Sequence, residues 1–289
     1  GGHISSGHLG AWAAGAVLTT PYLDHASGTG TKDAFLMYGE VSASCSNTLE
    51  FNGSSWSAGG ATASGSSRGS LFGTQNAAVA AGRYPNDLSN ATELYDGSSW
   101  SEGANAPFQQ TGVGVGTQNA GFHHGGLPSP YMSTHLYLGG VWSSGPDSNK
   151  CHFAHGAAGT VYGTLITGGN GGVACRASET YDGTSWTNIS DTLRNATYRG
   201  QGMGTVNDFM VAGKGPGSTA QSETYDGTSW TIAASLSQNM NSAGGDGASS
   251  LSGILAGGNT ANYTELYTAT VHSTGSFGRV IADYFTGDA

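Results

Sequence analysis

The chain has 289 residues, of which 50 are glycine and 10% are charged, so one domain of moderate size is expected. Nineteen acidic and nine basic residues give a formal net charge of −10, which leaves few cations to neutralise phosphates. This balance argues against nucleic-acid binding and against binding to an anionic membrane surface. No run of about 18 apolar residues is present, so membrane insertion is not expected either.

The tryptophans recur at a nearly constant interval, which indicates one supersecondary unit repeated along the chain. Successive tryptophans are 42 or 44 residues apart. They are Trp12, Trp56, Trp100, Trp142, Trp186 and Trp230. A further step of 42 residues reaches His272, where a seventh tryptophan would stand.

The first half of each repeat predicts two strands. One strand ends at a Gly-Thr pair, and stretches such as Gly73-Thr74-Gln75-Asn76-Ala77 predict the tip of a hairpin. The next strand is a short apolar run that stops at glycine, as in Thr164–Gly169, and six such runs occur. A run of this kind is typical of a strand buried on both faces, with glycine where backbones converge.

The second half of each repeat predicts two more strands. In Glu223–Trp230, a Glu-x-Tyr strand is followed by Asp-Gly and then by a strand that opens with tryptophan. Asp-Gly supplies the positive φ angles of a tight turn. Because Asp96, Asp182 and Asp226 recur in phase with the repeat, we interpret them as turn residues and not as calcium ligands. Six repeats of four strands predict an all-β, six-bladed β-propeller.

The two ends of the repeat region complement each other. Trp12 has no Glu-x-Tyr strand before it, and the last such strand, Thr264–Tyr267, has no tryptophan after it. We therefore predict that the segment around residues 8–14 forms the outermost strand of the last blade, which removes an open sheet edge. The alternative is that residues 269–275 form that strand. The propeller is expected to span residues 1–272.

The sequence of the repeat resembles that of a known family. Diglycine after an apolar strand, followed by tyrosine and then tryptophan, resembles the kelch repeat at a slightly shorter period. The wording Thr-Glu-x-Tyr-Asp-Gly-Thr/Ser-Ser-Trp, alternating with Gly-Thr-Gln-Asn-Ala, is similar to kelch-like repeats in structural and tail-fibre proteins of marine tailed bacteriophages. The resemblance covers residues 12–272. It implies a non-enzymatic virion or extracellular module, in a tail fibre, appendage or decoration, that binds host-surface glycan or virion proteins through its loops.

Residues 273–289 depart from the repeat and form a C-terminal extension. Within it, Val280–Phe285 is apolar and strand-like. An apolar segment is unfavourable in water, so we expect it to contact other virion proteins or other copies of the chain. It is also similar to the lead-in to a further domain in phage fibre proteins. The alternative is a flexible terminus.

Three irregular loops are the predicted binding elements, because loops on a rigid scaffold carry binding. They are residues 83–91, 127–134 and 170–178. In the second of these loops, Pro128, Pro130 and Tyr131 are candidates for stacking on a sugar ring. His123 and His124 end an apolar run, and one of them is expected to face the central channel.

The sequence predicts no metal and no cofactor. Cys151-His152-x-x-His155 matches half of a metal-binding pattern, but no second half appears at ligand spacing. Cys151 and Cys175 fall in one predicted blade, and either a disulfide between them or buried free thiols is compatible with the spacing.

Two other functions are weighed against the virion module. The Asp-Gly-Thr-Ser-Trp wording is close to the Asp-box of sialidases, which would make the chain a glycan-active enzyme. Such a site needs several arginines with a carboxylate and a tyrosine in one cavity. Arg68 and Arg199, however, occupy similar positions before two inner strands, which favours a structural role. The third candidate is an extracellular bacterial kelch-like adhesin or scaffold.

Overall fold

The computed structural model describes residues 9–19, 26–39, 46–63, 69–82, 90–109, 111–126, 131–169, 176–189, 193, 196–213, 215, 220–240, 242–258 and 262–270. These residues form strands, turns and irregular segments. No helix among them has the length and apolar character needed to cross a membrane.

Twenty-four strands form six four-stranded antiparallel sheets. In chain order they are β1 (Leu9–Ala14), β2 (Ser27–Thr31), β3 (Ala34–Tyr38), β4 (Thr48–Phe51), β5 (Trp56–Ala58), β6 (Ser70–Thr74), β7 (Ala77–Ala81), β8 (Thr92–Tyr95), β9 (Trp100–Glu102), β10 (Val113–Thr117), β11 (Ala120–His124), β12 (Thr134–Leu138), β13 (Val141–Ser144), β14 (Gly156–Thr160), β15 (Gly163–Thr167), β16 (Ser178–Tyr181), β17 (Trp186–Asn188), β18 (Gln201–Thr205), β19 (Asp208–Ala212), β20 (Ser222–Tyr225), β21 (Trp230–Ile232), β22 (Gly244–Ser249), β23 (Ser252–Ala256) and β24 (Thr264–Thr270).

The sheets are the blades of a closed ring. Blades 1 to 5 contain β2–β5, β6–β9, β10–β13, β14–β17 and β18–β21, each in sequential order. Blade 6 has the order β1-β24-β23-β22. The innermost strands β2, β6, β10, β14, β18 and β22 each contact two neighbouring innermost strands, and β22 contacts β2. The predicted six-bladed propeller is therefore confirmed, and it is consistent with a kelch-like architecture.

The second strand of each blade carries the core. In all six, the first residue is half-buried and the next four are buried. The glycines that end these strands lie where a connecting segment crosses close to them. A Cβ on Gly168 would lie 2.4 Å from Thr197 Cγ2, and one on Gly169 would lie 3.0 Å from the Phe153 carbonyl oxygen. Both parts of the sequence interpretation hold: the strand is buried on both faces, and its glycines allow backbones to converge.

Each tryptophan faces an aromatic residue of the neighbouring third strand. The ring centroids of the six pairs lie 4.8 to 5.2 Å apart, in tilted geometry. The pairs are Phe51–Trp56, Tyr95–Trp100, Tyr137–Trp142, Tyr181–Trp186, Tyr225–Trp230 and Tyr267–Trp12. The periodic tryptophan is thus the outer aromatic anchor of every blade.

The aspartates before these tryptophans are turn residues, as predicted. The Oδ1 atom of Asp96 accepts hydrogen bonds from the N–H groups of Ser98 at 2.9 Å and Ser99 at 2.8 Å, and Gly97 has φ 93°. The backbone N–H of Ser99 and the hydroxyl of Ser98 lower the pKa of Asp96 to about 2. Asp182 and Asp226 make the same pair of bonds to the residues two and three ahead.

The ring closes through the N-terminal strand. All six residues of β1 pair with β24, from Leu9 opposite Thr270 to Ala14 opposite Glu265. Trp12 lies opposite Tyr267, with ring centroids 5.1 Å apart. This confirms closure by the segment around Trp12, and the alternative, in which residues 269–275 supply the outer strand, is wrong.

The antiparallel order gives the ring two different faces. Inner strands begin at one face, which we call the loop face; it carries the links between second and third strands and the links between blades. They end at the opposite face, the turn face, which carries the two-residue inner hairpins and the Asp-Gly turns. The three irregular loops named above all connect a second to a third strand, so they begin and end at the loop face.

Candidate functional site at the mouth of the central channel

The six inner strands enclose a channel of about 790 Å³, and glycines of all six strands line it. The fourth residue of every inner strand is glycine. A Cβ at any of these glycines would lie 2.1 to 2.4 Å from a carbonyl oxygen of the second strand of the same blade. These residues are Gly30, Gly73, Gly116, Gly159, Gly204 and Gly247. Glycine at this position is therefore required by the close approach of the two strands of the inner hairpin.

The mouth of the channel at the loop face is bordered by three residues with positive φ. Ala154, Arg199 and Ser242 have φ angles of 52°, 62° and 54°, and each lies two residues before an inner strand. The Arg199 N–H donates to the Ala154 carbonyl at 2.6 Å, and the Ser242 N–H donates to the Arg199 carbonyl at 3.2 Å. This backbone rim joins blades 4, 5 and 6, and it holds these residues in a conformation that costs side-chain-bearing residues free energy.

Of the three rim residues, Arg199 is the one with a charged side chain. Its side chain is half-buried, and its Cζ atom lies 5.4 Å from the centre of the Tyr198 ring, a cation–π distance. Tyr198 is held in turn by two backbone hydrogen bonds with Gly215, of 2.8 and 3.4 Å. The predicted structural role of Arg199 is correct for its backbone, but its side chain lines the channel.

Two half-buried aromatic rings lie beside this rim. Phe153 lines the channel and occupies the place in blade 4 that Tyr198 has in blade 5, three residues before the inner strand. The ring of Tyr131 lies 5.8 Å from that of Phe153. The structure therefore places the predicted candidate Tyr131 next to the channel mouth, whereas Pro128 and Pro130 lie outside the described residues.

A single carboxylate lies among the described residues of the channel wall. Asp246 Oδ2 accepts hydrogen bonds from the Gly30 N–H at 2.9 Å and the Thr29 hydroxyl at 3.3 Å, and its Oδ1 accepts one from the Gly247 N–H at 2.7 Å. Burial raises the pKa of Asp246 to about 6, against these hydrogen bonds. Asp246 thus joins the inner strands of the last and first blades, a role that sequence reasoning missed.

His123 and His124 do not face the channel, contrary to expectation. Both are completely buried, because β11 is the second strand of its blade and packs between neighbouring blades. The His123 ring stacks on Phe108 with centroids 3.8 Å apart, and its Nδ1 lies 2.7 Å from the Ser70 hydroxyl. These contacts make His123 part of the core.

His124 belongs to a buried cluster between blades 3 and 4. Its Nδ1 lies 3.1 Å from His155 Nε2, and its Nε2 lies 2.9 Å from the Ser148 hydroxyl. His152 directs Nδ1 at the Gly168 carbonyl and Nε2 at the Glu179 carboxylate, at 2.6 and 3.0 Å. Burial opposes ionisation of Glu179, but the bond from His152 holds its pKa below the usual value.

This cluster offers no metal site. Both ring nitrogens of His152 are engaged by oxygen atoms of Gly168 and Glu179 within the cluster. No group of three or more histidine, cysteine, aspartate or glutamate side chains in the described part of the chain could hold a metal ion. Cys151 is a free thiol and is exposed, so its interpretation as a buried thiol is wrong; Cys175 lies outside the described residues.

The glutamate of the Glu-x-Tyr strand has a role that the sequence did not reveal. It is buried and accepts hydrogen bonds from the segment that links the preceding blade to its own. Glu93 accepts from Ala63 N–H at 3.2 Å, Glu179 from Asn149 N–H at 2.8 Å, and Glu265 from Ser237 N–H at 3.2 Å. Recurrence in phase with the repeat was the available signal, and it indicates scaffold, as it does for the aspartates.

The arrangement expected of a sialidase-like enzyme is not assembled by the described residues. Those that line the channel include one arginine, Arg199, one carboxylate, Asp246, and no tyrosine. Arg68 precedes β6 by the same two residues as Arg199 precedes β18, but it lies outside the described residues. Comparison of the chain with known protein families found no matching family, and comparison with curated proteins found no matching protein.

Proposed function

We propose that the chain is a non-enzymatic display module that is attached through its turn face and binds a target through its loop face. The observation that carries this proposal is the direction of the strands in blade 6. β1 begins and β24 ends at the turn face, at Leu9 and Thr270. The chain therefore enters and leaves the described propeller on the face opposite the long loops and the channel mouth with the rim.

The turn face has features of an attachment surface. Its turns are short and closed by their own side chains, as at Asp96. Blades 3 and 4 nevertheless expose apolar residues there: Val141 is 64% and Tyr162 is 68% exposed. Three of the other five inner hairpins have asparagine in the place of Tyr162, so this apolar surface is not demanded by the repeat, and a neighbouring protein would cover it.

The setting that we propose is a virion, as a tail fibre, appendage or decoration protein. This step is supported by the resemblance of the repeat wording to kelch-like phage proteins and by a surface poor in charge. The partners on the turn face would be other virion proteins or further copies of the chain, reached also through residues 273–289, which lie outside the described residues. The target on the loop face would be a host-surface glycan.

The two faces can be tested separately. The purified protein is applied to an array of immobilised glycans, and the eluate is searched for released sugars by mass spectrometry. We expect retention on some glycans without release of products. Replacing residues 127–130 by a Gly-Ser segment should abolish retention, whereas Val141→Ser with Tyr162→Asn should preserve it and weaken self-association or capture by purified particles.

Two results would overturn the proposal. Release of sugar fragments would make the chain a glycan-active enzyme. Absence of retention on every glycan, together with unchanged assembly of the turn-face variant, would remove both halves of the display function.

A further inference from the structure

We infer that the rim of the channel over blades 4 and 5 binds a saccharide that carries a carboxylate, with Arg199 pairing with the carboxylate and Phe153 and Tyr131 stacking on the sugar ring. This inference rests on the proposed function, because it names the ligand class of the loop face. It goes beyond that function in assigning charge recognition to one side chain and in placing the ligand at the channel mouth.

Arg199 is available to an anionic ligand. No carboxylate among the described residues forms an ion pair with it, although it is half-buried and lines a cavity. Its backbone is held in the left-handed region by the bonds to Ala154 and from Ser242. Non-glycine residues persist in this conformation only where the surroundings impose it. A guanidinium on such a rigid rim is preorganised for a planar, two-point bond to a carboxylate.

The aromatic rings suit the apolar face of a sugar. The Ala154 carbonyl oxygen lies 2.6 Å from the backbone nitrogen of Arg199, so the segment that contains Phe153 runs directly beside the arginine. Phe153 and Tyr131 are half-buried and in contact with each other, which fixes their rings while leaving part of each exposed. Rigid aromatic rings bind the C–H faces of sugars at little entropic cost, because they have few rotatable bonds.

The charges of the channel place the carboxylate at its mouth. Asp246 is the third residue of its inner strand, and Arg199 lies two residues before the neighbouring one. Four residue steps of extended strand separate these levels, roughly 13 Å along the channel. A carboxylate is therefore attracted by Arg199 at the rim and repelled by Asp246 deeper in the channel.

The test compares two sugars that differ in the carboxylate, D-glucuronic acid and D-glucose. Binding to the full chain is measured by saturation-transfer NMR at low and high salt. We expect glucuronic acid to bind about tenfold more tightly than glucose, since one such charge pair contributes on the order of 1.4 kcal/mol. The preference should fall at high salt.

Two variants assign the preference to the side chain. Arg199→Gly removes the guanidinium and at the same time relieves the positive φ, so the fold is expected to be retained, which a thermal melt verifies. It should bind both sugars equally. Ser242→Gly relieves the same backbone strain on the next blade and should keep the tenfold preference. Phe153→Leu should weaken both sugars to a similar degree.

The inference is overturned if wild-type protein does not distinguish the two sugars, or if Arg199→Gly keeps the preference. Either result leaves the proposed function standing as long as the protein is still retained on neutral glycans of the array. Loss of all glycan binding by the wild-type protein would instead contradict the proposed function itself.

Discussion

At the third position of the inner strands, one residue departs from its equivalents. Five blades have Thr29, Phe72, Val115, Ala158 and Met203 there, and blade 6 has Asp246. Its carboxylate receives two hydrogen bonds from blade 1, at the joint between the last blade and the first. A half-buried charge at this joint makes the stability of the ring depend on pH.

We predict that Asp246→Asn removes a defined part of that dependence. The pKa is about 6 in the folded state against 3.8 in the unfolded chain, so the folded state holds the proton more tightly. Stability from this group is present below pH 3.8 and is lost as the pH rises through 6. After allowance for partial exposure to the channel, the loss should be about 1–2 kcal/mol.

The measurement is the free energy of unfolding in urea at pH 4.5 and 7.5. Between these two pH values, the change in the free energy of unfolding should differ between wild type and Asp246→Asn by about 1–2 kcal/mol. Wild type and variant must be compared with each other, because buried neutral histidines such as His124 contribute to the pH dependence of stability with the opposite sign. Asp33→Asn, at an exposed hairpin tip, controls for net charge; an equal pH response of wild type and Asp246→Asn would contradict the prediction.

The tryptophans differ in what their indole N–H groups contact. Trp56 Nε1 donates to the Thr264 hydroxyl at 2.9 Å and to the Ala16 carbonyl at 3.2 Å, which ties blade 1 to blade 6. Trp12 Nε1 is buried and has no hydrogen-bond partner among the described residues. The two side chains are almost equally buried, with 7% and 8% exposed, so they form a matched pair.

We predict that Trp56→Phe is the more damaging of the two substitutions. Both variants lose similar packing, but only Trp56→Phe leaves the buried Thr264 hydroxyl and the partly buried Ala16 carbonyl without their donor, which costs about 1–2 kcal/mol more. Urea unfolding of the two variants measures the difference. Equal destabilisation, or a larger effect of Trp12→Phe, would show that these hydrogen bonds contribute nothing to stability.

At the scale of elements, β1 differs from the other outer strands in length and in origin. It pairs over six residues with β24, whereas β5, β9 and β17 each pair over three residues. It also comes from the opposite end of the sequence. Closure of the ring therefore depends on a pairing between residues about 260 positions apart, which has a large cost in chain entropy.

We predict that deletion of residues 1–14 opens blade 6. Loss of the ladder and of buried Trp12 should lower the melting temperature by at least about 10 °C, and the exposed edge of β24 should promote self-association. Circular dichroism and size-exclusion chromatography measure these effects, and a peptide of residues 7–16 added in trans should reverse them. Deletion of residues 273–289 removes no described strand and serves as the control; equal melting of the two truncated chains would contradict the prediction.

Elements with a strong local signal were predictable from the sequence. The Gly-Thr pair, the apolar run, the Asp-Gly turn and the tryptophan all lie where the pattern placed them. In blade 3 the turn before the tryptophan strand forms although its sequence differs. Gly139 and Gly140, with φ 58° and 87°, form a two-residue turn in place of the aspartate turn. Each of these features depends on residues close in sequence, which is why a repeat reveals them.

For the whole molecule, the candidate site was only partly predictable. The irregular loop singles out Tyr131, which does lie beside the channel mouth. The prediction that His123 or His124 faces the channel is wrong, because a strand that is apolar on both faces does not show whether its side chains meet the channel or a neighbouring blade. Phe153 and Tyr198 share a repeat position, but nothing local shows that this position forms a rim.

The number of blades, the four strands of each and the closure by Trp12 follow from the sequence, because short-range backbone preferences are repeated six times and average out local noise. The contacts across blades follow only from the packed ring: the hydrogen bond between Asp246 and Gly30, the burial of the histidines, and the rim that contains Arg199. The cross-blade contacts of Asp246 and Arg199 join residues more than 40 positions apart, and those of His124 join residues 24 and 31 positions apart, so their partners are set by ring geometry and packing. The same geometry separates Leu9 and Thr270, where β1 begins and β24 ends, from the channel mouth, and this separation of faces supports the proposed display function.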